Sequence, residues 1–398
     1  PSLLDVLISD SRVEGEGEMK ILKVLRTKTF KKNSHIVIFS PDSDMVLLNL
    51  LVKPEYQVYL LRFDQEKSKN EEDFYNWLEM KNLRKYLLQY AEEILETKLE
   101  EINLISDIIF LFNFFGNDFL PNIPCVDLSH KGLDLLFEVY SRTIKTNGLL
   151  IKNTSINKKA FVYMLREISG IEQTVLLNKY KGCNGGNDPF IQQCLLDQEG
   201  NSIDMNKYRK MYYVNKVTDV TVDELCREYV RGMIFVFKYY LDTIPSWTWC
   251  FKNHFAPFAG DIADAIEKDE EILFQRFVRG SSMTTIQQLM CILPPQSKRL
   301  LPECLQKYFD KNDSHLGKWM DDKIEIDCDF KVQEYEGIVK LPFIDYKDFE
   351  DVLKKEEENL TTIENSRNTK GKLFVYFQEE NPDTKQMECV VEMVSPSI

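Results

Sequence analysis

Histidine and tryptophan are scarce in this chain, four of each in 398 residues, and no Cys-x-x-Cys pair occurs among its nine scattered cysteines. The cysteine spacing, with wide gaps from Cys125 to Cys183 and from Cys328 to Cys389, excludes a zinc ribbon and a disulfide framework; an odd count of separated thiols points to reduced cysteines in a cytosolic or nuclear setting. The longest apolar runs, Met45 to Val52 and Ile108 to Phe115, fall short of a membrane span, and no signal peptide is evident. The expectation is therefore a soluble protein of the cytoplasm or nucleus without a membrane partner. Gly15-x-Gly17 is too short for a dinucleotide or P-loop fingerprint, and no Ser/His/Asp or Cys/His arrangement stands out. A net charge of −14 excludes a uniformly basic coat for nucleic acid, although local distribution decides such binding rather than the total.

What the chain does have is acid in three short motifs. Glu16 and Glu18 lie in Gly15-Glu16-Gly17-Glu18, Asp42 and Asp44 in Asp42-Ser43-Asp44, and Asp118 in Gly116-Asn117-Asp118-Phe119-Leu120-Pro121. Clustered carboxylates repel and raise one another's pKa unless cations neutralise them, so a convergent set points to bound divalent metal, and hard oxygen ligands point to Mg²⁺ or Mn²⁺.

Periodicity places these motifs. Leu3 to Ile8 reads as a buried strand and Ile21, Leu22, Val24 and Leu25 as an amphipathic helix, so the first motif falls at a strand-to-helix turn. His35 to Phe39 reads as a second strand, Pro41 to Asp44 as a turn, and Met45 to Leu51 as a helix start. Ligands of parallel α/β sheets gather beyond the carboxyl ends of strands, which predicts that both acidic turns face one cleft. Tyr56 to Phe63 is a further strand, 71–99 one or two polar helices, and Ile102 to Phe115 a buried helix that ends at Gly116 and presents Asp118. Helices are expected over Leu133 to Thr143, Lys158 to Ser169, Val222 to Leu241 and Asp261 to Phe277. The clearest loop is Gly182 to Gly186, and strands are expected after Lys372. The resulting domain plan is a core over 1–180, a linker over 181–205, a mostly helical region over 206–371 and a β-rich tail over 372–398.

Each motif also has an ordinary account. Acids near a helix N-terminus are favoured by its dipole, Asp42 is a good cap for the following helix, and Arg26, Lys28, Lys31 and Lys32 read equally well as a solvated loop. Capping gives no reason for three acidic turns in one chain, whereas phosphodiester hydrolysis by two metals needs several carboxylates at once. Ser246-Trp247-Thr248-Trp249 through His254-Phe255-Ala256-Pro257-Phe258 reads mostly as core; the alternative is that a tryptophan or His254 stacks on a base.

These residues resemble the XRN family of 5′→3′ exoribonucleases. The three acidic motifs occur in the family's order, followed by the Trp-rich segment, by Gln288-Leu289-Met290 with Leu293-Pro294-Pro295, and by Gly337-Ile338-Val339-Lys340-Leu341-Pro342-Phe343-Ile344-Asp345. The resemblance spans roughly 6–371. It departs at Glu14 and Met19, where the family usually has proline and often histidine, and nothing here corresponds to the family's Met-Gly-led segment with its further aspartates and 5′-phosphate pocket. On that ground the chain is expected to be a fragment or one piece of a split protein.

The resemblance implies an α/β, mixed or parallel-sheet, metal-dependent nuclease core of the PIN and flap-nuclease type, followed by a mostly helical second region. It implies processive 5′→3′ hydrolysis of 5′-monophosphorylated single-stranded RNA by two Mg²⁺ or Mn²⁺ in RNA decay. Glu16, Glu18, Asp42, Asp44 and Asp118 are the expected catalytic metal ligands, and Trp247, Trp249, His254, Lys20 and Arg26 the expected RNA contacts. Leu301-Pro302-Glu303-Cys304 leans toward the cytoplasmic branch. Two rivals stand: a catalytically silent RNA-binding scaffold, and a flap-endonuclease-like DNA nuclease, for which no helix-hairpin-helix clamp is found.

Overall fold

A run such as His35-Ile-Val-Ile-Phe39 is apolar on both faces of a strand, and two such runs pair in parallel. The computed structural model describes residues 6–28, 30–64, 74–95, 100–128, 131–182, 188–197, 200–217, 219–310, 316–319, 324–329, 337–380 and 387–394. The chain forms two compact units, one of residues 1–29, 280–323 and 342–398, the other of residues 30–279 and 324–341. In chain order the elements begin with β1 (Val6–Ile8), α1 (Gly17–Thr27), β2 (His35–Phe39), α2 (Asp44–Asn49), β3 (Gln57–Phe63), β4 (Tyr75–Glu79) and α3 (Met80–Leu95). Then come α4 (Glu101–Phe112), α5 (Gly132–Asn147), β5 (Ile151–Lys152), β6 (Ser155–Ile156), α6 (Lys158–Gly182), α7 (Pro189–Cys194), α8 (Met205–Lys216), α9 (Val222–Leu241) and α10 (Ala259–Lys268). The last are α11 (Thr285–Ile292), α12 (Glu303–Gln306), β7 (Ile326–Asp327), β8 (Ile338–Val339), α13 (Tyr346–Glu356), α14 (Thr362–Arg367), β9 (Leu373–Glu380) and β10 (Met387–Val394).

The larger unit is mixed α/β with abundant helix. Its sheet has the order β2-β3-β4, with β2 parallel to β3 (His35 opposite Gln57) and β4 antiparallel to it (Tyr59 opposite Glu79). Ile38, Val58 and Leu60 point inward, and α2 and α3 pack against β3. On the other face His35, Tyr59 and Trp77, and Phe39, Tyr75 and Phe63, form cross-strand aromatic contacts of the kind that stabilise sheets. Those contacts are why Tyr75–Glu79 is a strand where a helix is predicted: Tyr75 and Trp77 alternate and meet rings on β3, and the helix starts only at Met80.

The helical part is organised on α9. Thr221 and Glu224 close a capping box at its start, and from Met233 to Phe237 every residue is buried, the pattern of a helix surrounded by others. It packs against α4 and α10, with Phe110 edge-on to Phe237 at 5.7 Å. The helix predicted to reach Phe277 stops at Lys268, because Asp269 accepts from the Glu271 N–H and begins a separate 3₁₀ turn over Glu270–Leu273. The expected loop of Gly182 to Gly186 lies, from 183 on, outside the described residues. The rest of the expected linker carries α7 and a bridge between Leu195 and Ile203, and residues on both of its sides belong to the same unit.

In the smaller unit, β1 pairs antiparallel with β9, which pairs with β10. This corrects the expectation that the strands before the two acidic turns repeat one geometry in one sheet. β1 and β2 lie in different sheets, since a strand's local pattern fixes that it forms and not with which strand it pairs. A second core in this unit gathers Ile286, Met290, Leu305, Phe309, Phe349 and Val352 from α11, α12, α13 and the turn after α12.

Candidate functional site

The Asp118 turn is built by local chemistry. After α4, a 3₁₀ turn over Asn113–Phe115 ends at Gly116, whose φ of +79° is left-handed and whose missing Cβ would otherwise strike the Asn122 N–H. The Asn117 side-chain oxygen then accepts from the backbone N–H groups of Phe119 (2.9 Å) and Leu120 (3.1 Å), an Asx turn that leaves Asp118 exposed at its tip. The flanks of the turn are fastened to α9. The Phe119 ring meets Phe235 at 5.5 Å and Tyr239 at 5.4 Å, the Tyr229 hydroxyl donates to the Pro121 carbonyl at 2.9 Å, and the Leu120 side chain occupies the space above Gly232.

The Asp42 turn follows β2 and is also tied to α9. Asp42 does stabilise the start of α2, as its ordinary account predicts, though from one residue before the cap: its Oδ1 accepts from the Asp44 N–H at 2.8 Å, while Ser43, the cap residue, makes no side-chain capping bond. Arg62 donates to the Pro41 carbonyl at 2.8 Å. The Tyr240 hydroxyl donates to Asp44 Oδ2 at 2.5 Å. At the other end of α2, the buried Arg84 guanidinium donates to the carbonyls of Asn49, Leu50 and Val52.

The Trp-rich segment shares the same helix. Ser246 Oγ accepts from the Thr248 and Trp249 N–H groups, and the Trp247 N–H donates to the Arg279 carbonyl at 2.7 Å. The Trp249 indole N–H donates to Glu228 at 3.2 Å, and its ring lies 4.8 Å from Phe235 and 5.8 Å from Phe277. Trp249, half-buried, thus braces α9 through its ring. Trp247, half-buried, makes no ring contact of that kind among the described residues. His254 Nε2 lies 2.8 Å from the Leu341 carbonyl, and burial holds its pKa below the ordinary 6.5, so the ring is neutral at pH 7.

His254, Phe115 and Asn122 also line a cavity of about 330 Å³ that the sequence did not disclose. Its wall holds Lys179, ion-paired with Asp127, and Lys216, 2.9 Å from Asp327 and 2.5 Å from Asp329. No sequence pattern marks it: Lys179 lies in the last turn of α6 and Lys216 ends α8, both among polar neighbours.

Glu16 and Glu18 belong to the smaller unit. Glu16 stands at the cap position of α1 without a side-chain capping bond and Glu18 lies in the first turn, both where the helix dipole favours acid. The turn is strapped by Glu14, which accepts from Ser282 Oγ at 2.6 Å and Lys370 Nζ at 3.0 Å, and by the Gly371 N–H on the Arg12 carbonyl. Lys20 reaches the Asp10 carbonyl at 3.1 Å, and Arg26 lies in the last turn of α1. Lys28, Lys31 and Lys32 are exposed.

The larger unit therefore mounts two acidic turns and the Trp segment on one helix. The donor set is carboxylate oxygen only, which fits Mg²⁺ or Mn²⁺ in kind. Among the described residues no group of three or more His, Cys, Asp or Glu side chains stands close enough to hold a metal ion. Nor is any helix among them long and apolar enough to cross a membrane.

A parallel strand pair with an antiparallel third strand, set among abundant helices, defines a class, the mixed α/β proteins. The family model described as the Xrn1 helical domain matches residues 98–194 and 197–395, and the one described as the XRN 5′-3′ exonuclease N-terminus matches residues 2–64. The chain belongs to the XRN family. It is 24% identical to 5′-3′ exoribonuclease 1 of Homo sapiens over 95% of this chain and 26% of that protein. It is 23% identical to 5′-3′ exoribonuclease 2 of Candida albicans over 95% of this chain and 56% of that protein, and 22% identical to the 5′-3′ exoribonuclease 2 homolog of Drosophila melanogaster over 99% and 54%. The chain thus spans from about a quarter to just over half the length of these relatives.

Proposed function

We propose that the protein is a metal-dependent 5′→3′ exoribonuclease that removes nucleotides from single-stranded RNA bearing a 5′ monophosphate, acting in the cytoplasm on a PIN-like nuclease core. The observation that carries this reading is the common mounting of the Asp42–Asp44 turn, the Asp118 turn and the Trp segment on α9, in a chain of the XRN family.

In this reading Glu16, Glu18, Asp42, Asp44 and Asp118 hold two Mg²⁺ or Mn²⁺. When bound, such cations supply a polarised water and neutralise the charge that builds on the leaving oxygen. The chain's own residues do the rest. The Asx turn at Asn117 aims Asp118, Tyr240 and Asp42 hold the Asp44 turn, and Trp247 stacks on a base, since the Trp249 ring is already committed to Glu228, Phe235 and Phe277. Neutral His254 presents an imidazole without charge, and Lys20 and Arg26 supply cations for phosphate.

A second reading, a catalytically silent RNA-binding scaffold, draws support from the lack of a three-carboxylate group among the described residues. One assay separates the two. A 5′-monophosphate RNA and its 5′-hydroxyl twin are incubated with Mg²⁺ or Mn²⁺ and either the parent or Asp118→Asn. Shortening of the monophosphate RNA from its 5′ end, lost on substitution, supports the nuclease; RNA binding without shortening supports the scaffold and refutes the nuclease.

A further inference from the structure

We infer that the Phe274–Arg279 segment is a track for single-stranded RNA beside Trp247, with Arg276 and Arg279 on phosphates and Phe274 stacked on a base. The inference deepens the proposed action on single-stranded RNA and rests on it.

The segment leaves the 3₁₀ turn over Glu270–Leu273 without regular structure and is anchored on α9. Phe277 turns inward, 5.5 Å from Phe235 and 5.8 Å from Trp249, with the Arg231 guanidinium over its ring at 5.3 Å and Lys238 Nζ at 5.6 Å. Lys238 also donates to the Gln275 carbonyl at 2.9 Å, and the Arg279 carbonyl accepts from the Trp247 N–H at 2.7 Å. These contacts hold the backbone and leave alternate side chains outward: Phe274, Arg276 and Val278 are exposed, Phe274 to 65%, and so is Arg279.

Charge assigns the ligand. In a chain of net charge −14, most arginines of this unit are engaged: Arg84 donates to carbonyls, and Arg142, Arg166, Arg209 and Arg227 pair with carboxylates. The Arg276 and Arg279 side chains make no hydrogen bond or ion pair among the described residues. Of the three acids just before the segment, Asp269 is matched by Arg227 and Glu270 by Lys158, so Glu271 is the one set against the two guanidinium charges. Those charges stand at most about 10 Å apart along the chain, with an exposed ring at one end and Trp247 bonded at the other. These are the components of a sequence-tolerant single-strand site, cations that follow the backbone and rings on which bases stack. A protein partner would have to bring acid to match the arginines, whereas RNA brings a phosphate with every nucleotide.

The test uses the full chain and a fluorescein-labelled oligouridylate in EDTA, where no divalent ion supports cleavage, and reads affinity by anisotropy over a range of salt concentrations. Arg276→Gln/Arg279→Gln is expected to lower the slope of log affinity against log salt by about 1.4, two phosphate contacts, and to weaken binding roughly 25-fold at about 0.1 M salt. Phe274→Ala should weaken binding about 5–150-fold with the slope unchanged, and Phe274→Tyr should bind as the parent does. Lys145→Gln/Lys159→Gln, which removes the same charge from exposed positions on α5 and α6, should keep the parent's affinity and slope. Each change falls on an exposed side chain, so unfolding temperatures should stay close to the parent's. If the parent binds but the double arginine variant loses no more than the lysine control, or Phe274→Ala binds as tightly as the parent, the segment serves solvent or a protein partner and the inference is overturned alone. If the parent does not bind the oligouridylate, the proposed RNA substrate fails and the inference with it.

Discussion

Arg209→Ala should be among the most damaging single substitutions in the larger unit. Glu172 is fully buried on α6, and its Oε2 accepts from Arg209 at 2.6 Å while Oε1 accepts from the Ala259 N–H at 3.0 Å, at the start of α10. Arg209 also lies over the Phe258 ring at 5.1 Å and 3.6 Å from Asp261. Burial pushes the Glu172 carboxyl above its ordinary range even with the guanidinium beside it; burial also pulls Arg209 down, but the carboxylate more than compensates and the pair stays charged. Removing the arginine strands a carboxylate without solvent, a change that costs about 3–5 kcal/mol. For a unit of this size that is a fall in unfolding temperature on the order of 10 °C. The deficit should depend on pH with a defined sign. With its partner gone the folded-state pKa of Glu172 rises further above the unfolded value, so stability is retained at acid pH and lost as pH rises through the folded pKa. Thermal and urea unfolding between pH 5 and 8 reads this directly: the gap to the parent should be largest at pH 8 and narrow toward pH 5, and Glu172→Gln in the Arg209→Ala background should recover part of the loss. A deficit below about 1 kcal/mol at neutral pH, or one indifferent to pH, would refute the account.

The two tryptophans of the Ser246–Trp249 segment should part company. Trp249→Ala, which deletes a ring packed on Phe235 and Phe277, is expected to cost about 1–3 kcal/mol in chemical denaturation, whereas Trp247→Ala should shift the midpoint less and weaken binding of single-stranded RNA by about 1–3 kcal/mol in fluorescence titration. Asp107, buried among the Tyr140 hydroxyl and the Leu150 and Ile151 N–H groups, has its carboxyl pushed up to about 7 by burial against the pull of those three donors. The folded state therefore holds a proton between pH 4 and 7 that the unfolded chain has released, so stability should decline across that window as pH rises, and Asp107→Asn should flatten the profile in pH-dependent unfolding. Gly232→Ala should destabilise despite a helix-propensity gain of about 1 kcal/mol, because the new methyl would meet Leu120 and Trp249; overpacking of this kind costs about 1–3 kcal/mol and, in activity assays, should be felt at the Asp118 turn.

How far the sequence reaches is decided by the range of the interactions involved. The Asp118 turn is legible because its causes lie within a few residues: Gly116 supplies the positive φ and Asn117 the Asx bond. The limits of α9 are legible for the same reason, since Thr221 and Glu224 cap it and its apolar pattern is continuous. The partner of β1 is not legible, because Val6–Ile8 would suit any sheet and only the fold brings it to β9. β4 is hidden by a helix-prone neighbourhood that cross-strand rings on β3 override. Tyr240 and Asp44 are 196 residues apart, and the Trp249 ring is fixed by Glu228, Phe235 and Phe277, none of which its own segment contains. The acids themselves could be read, but not what orients them. In the larger unit both acidic turns and Trp249 take their positions from α9, so substitutions along its buried face should perturb the site as much as changes near the carboxylates do.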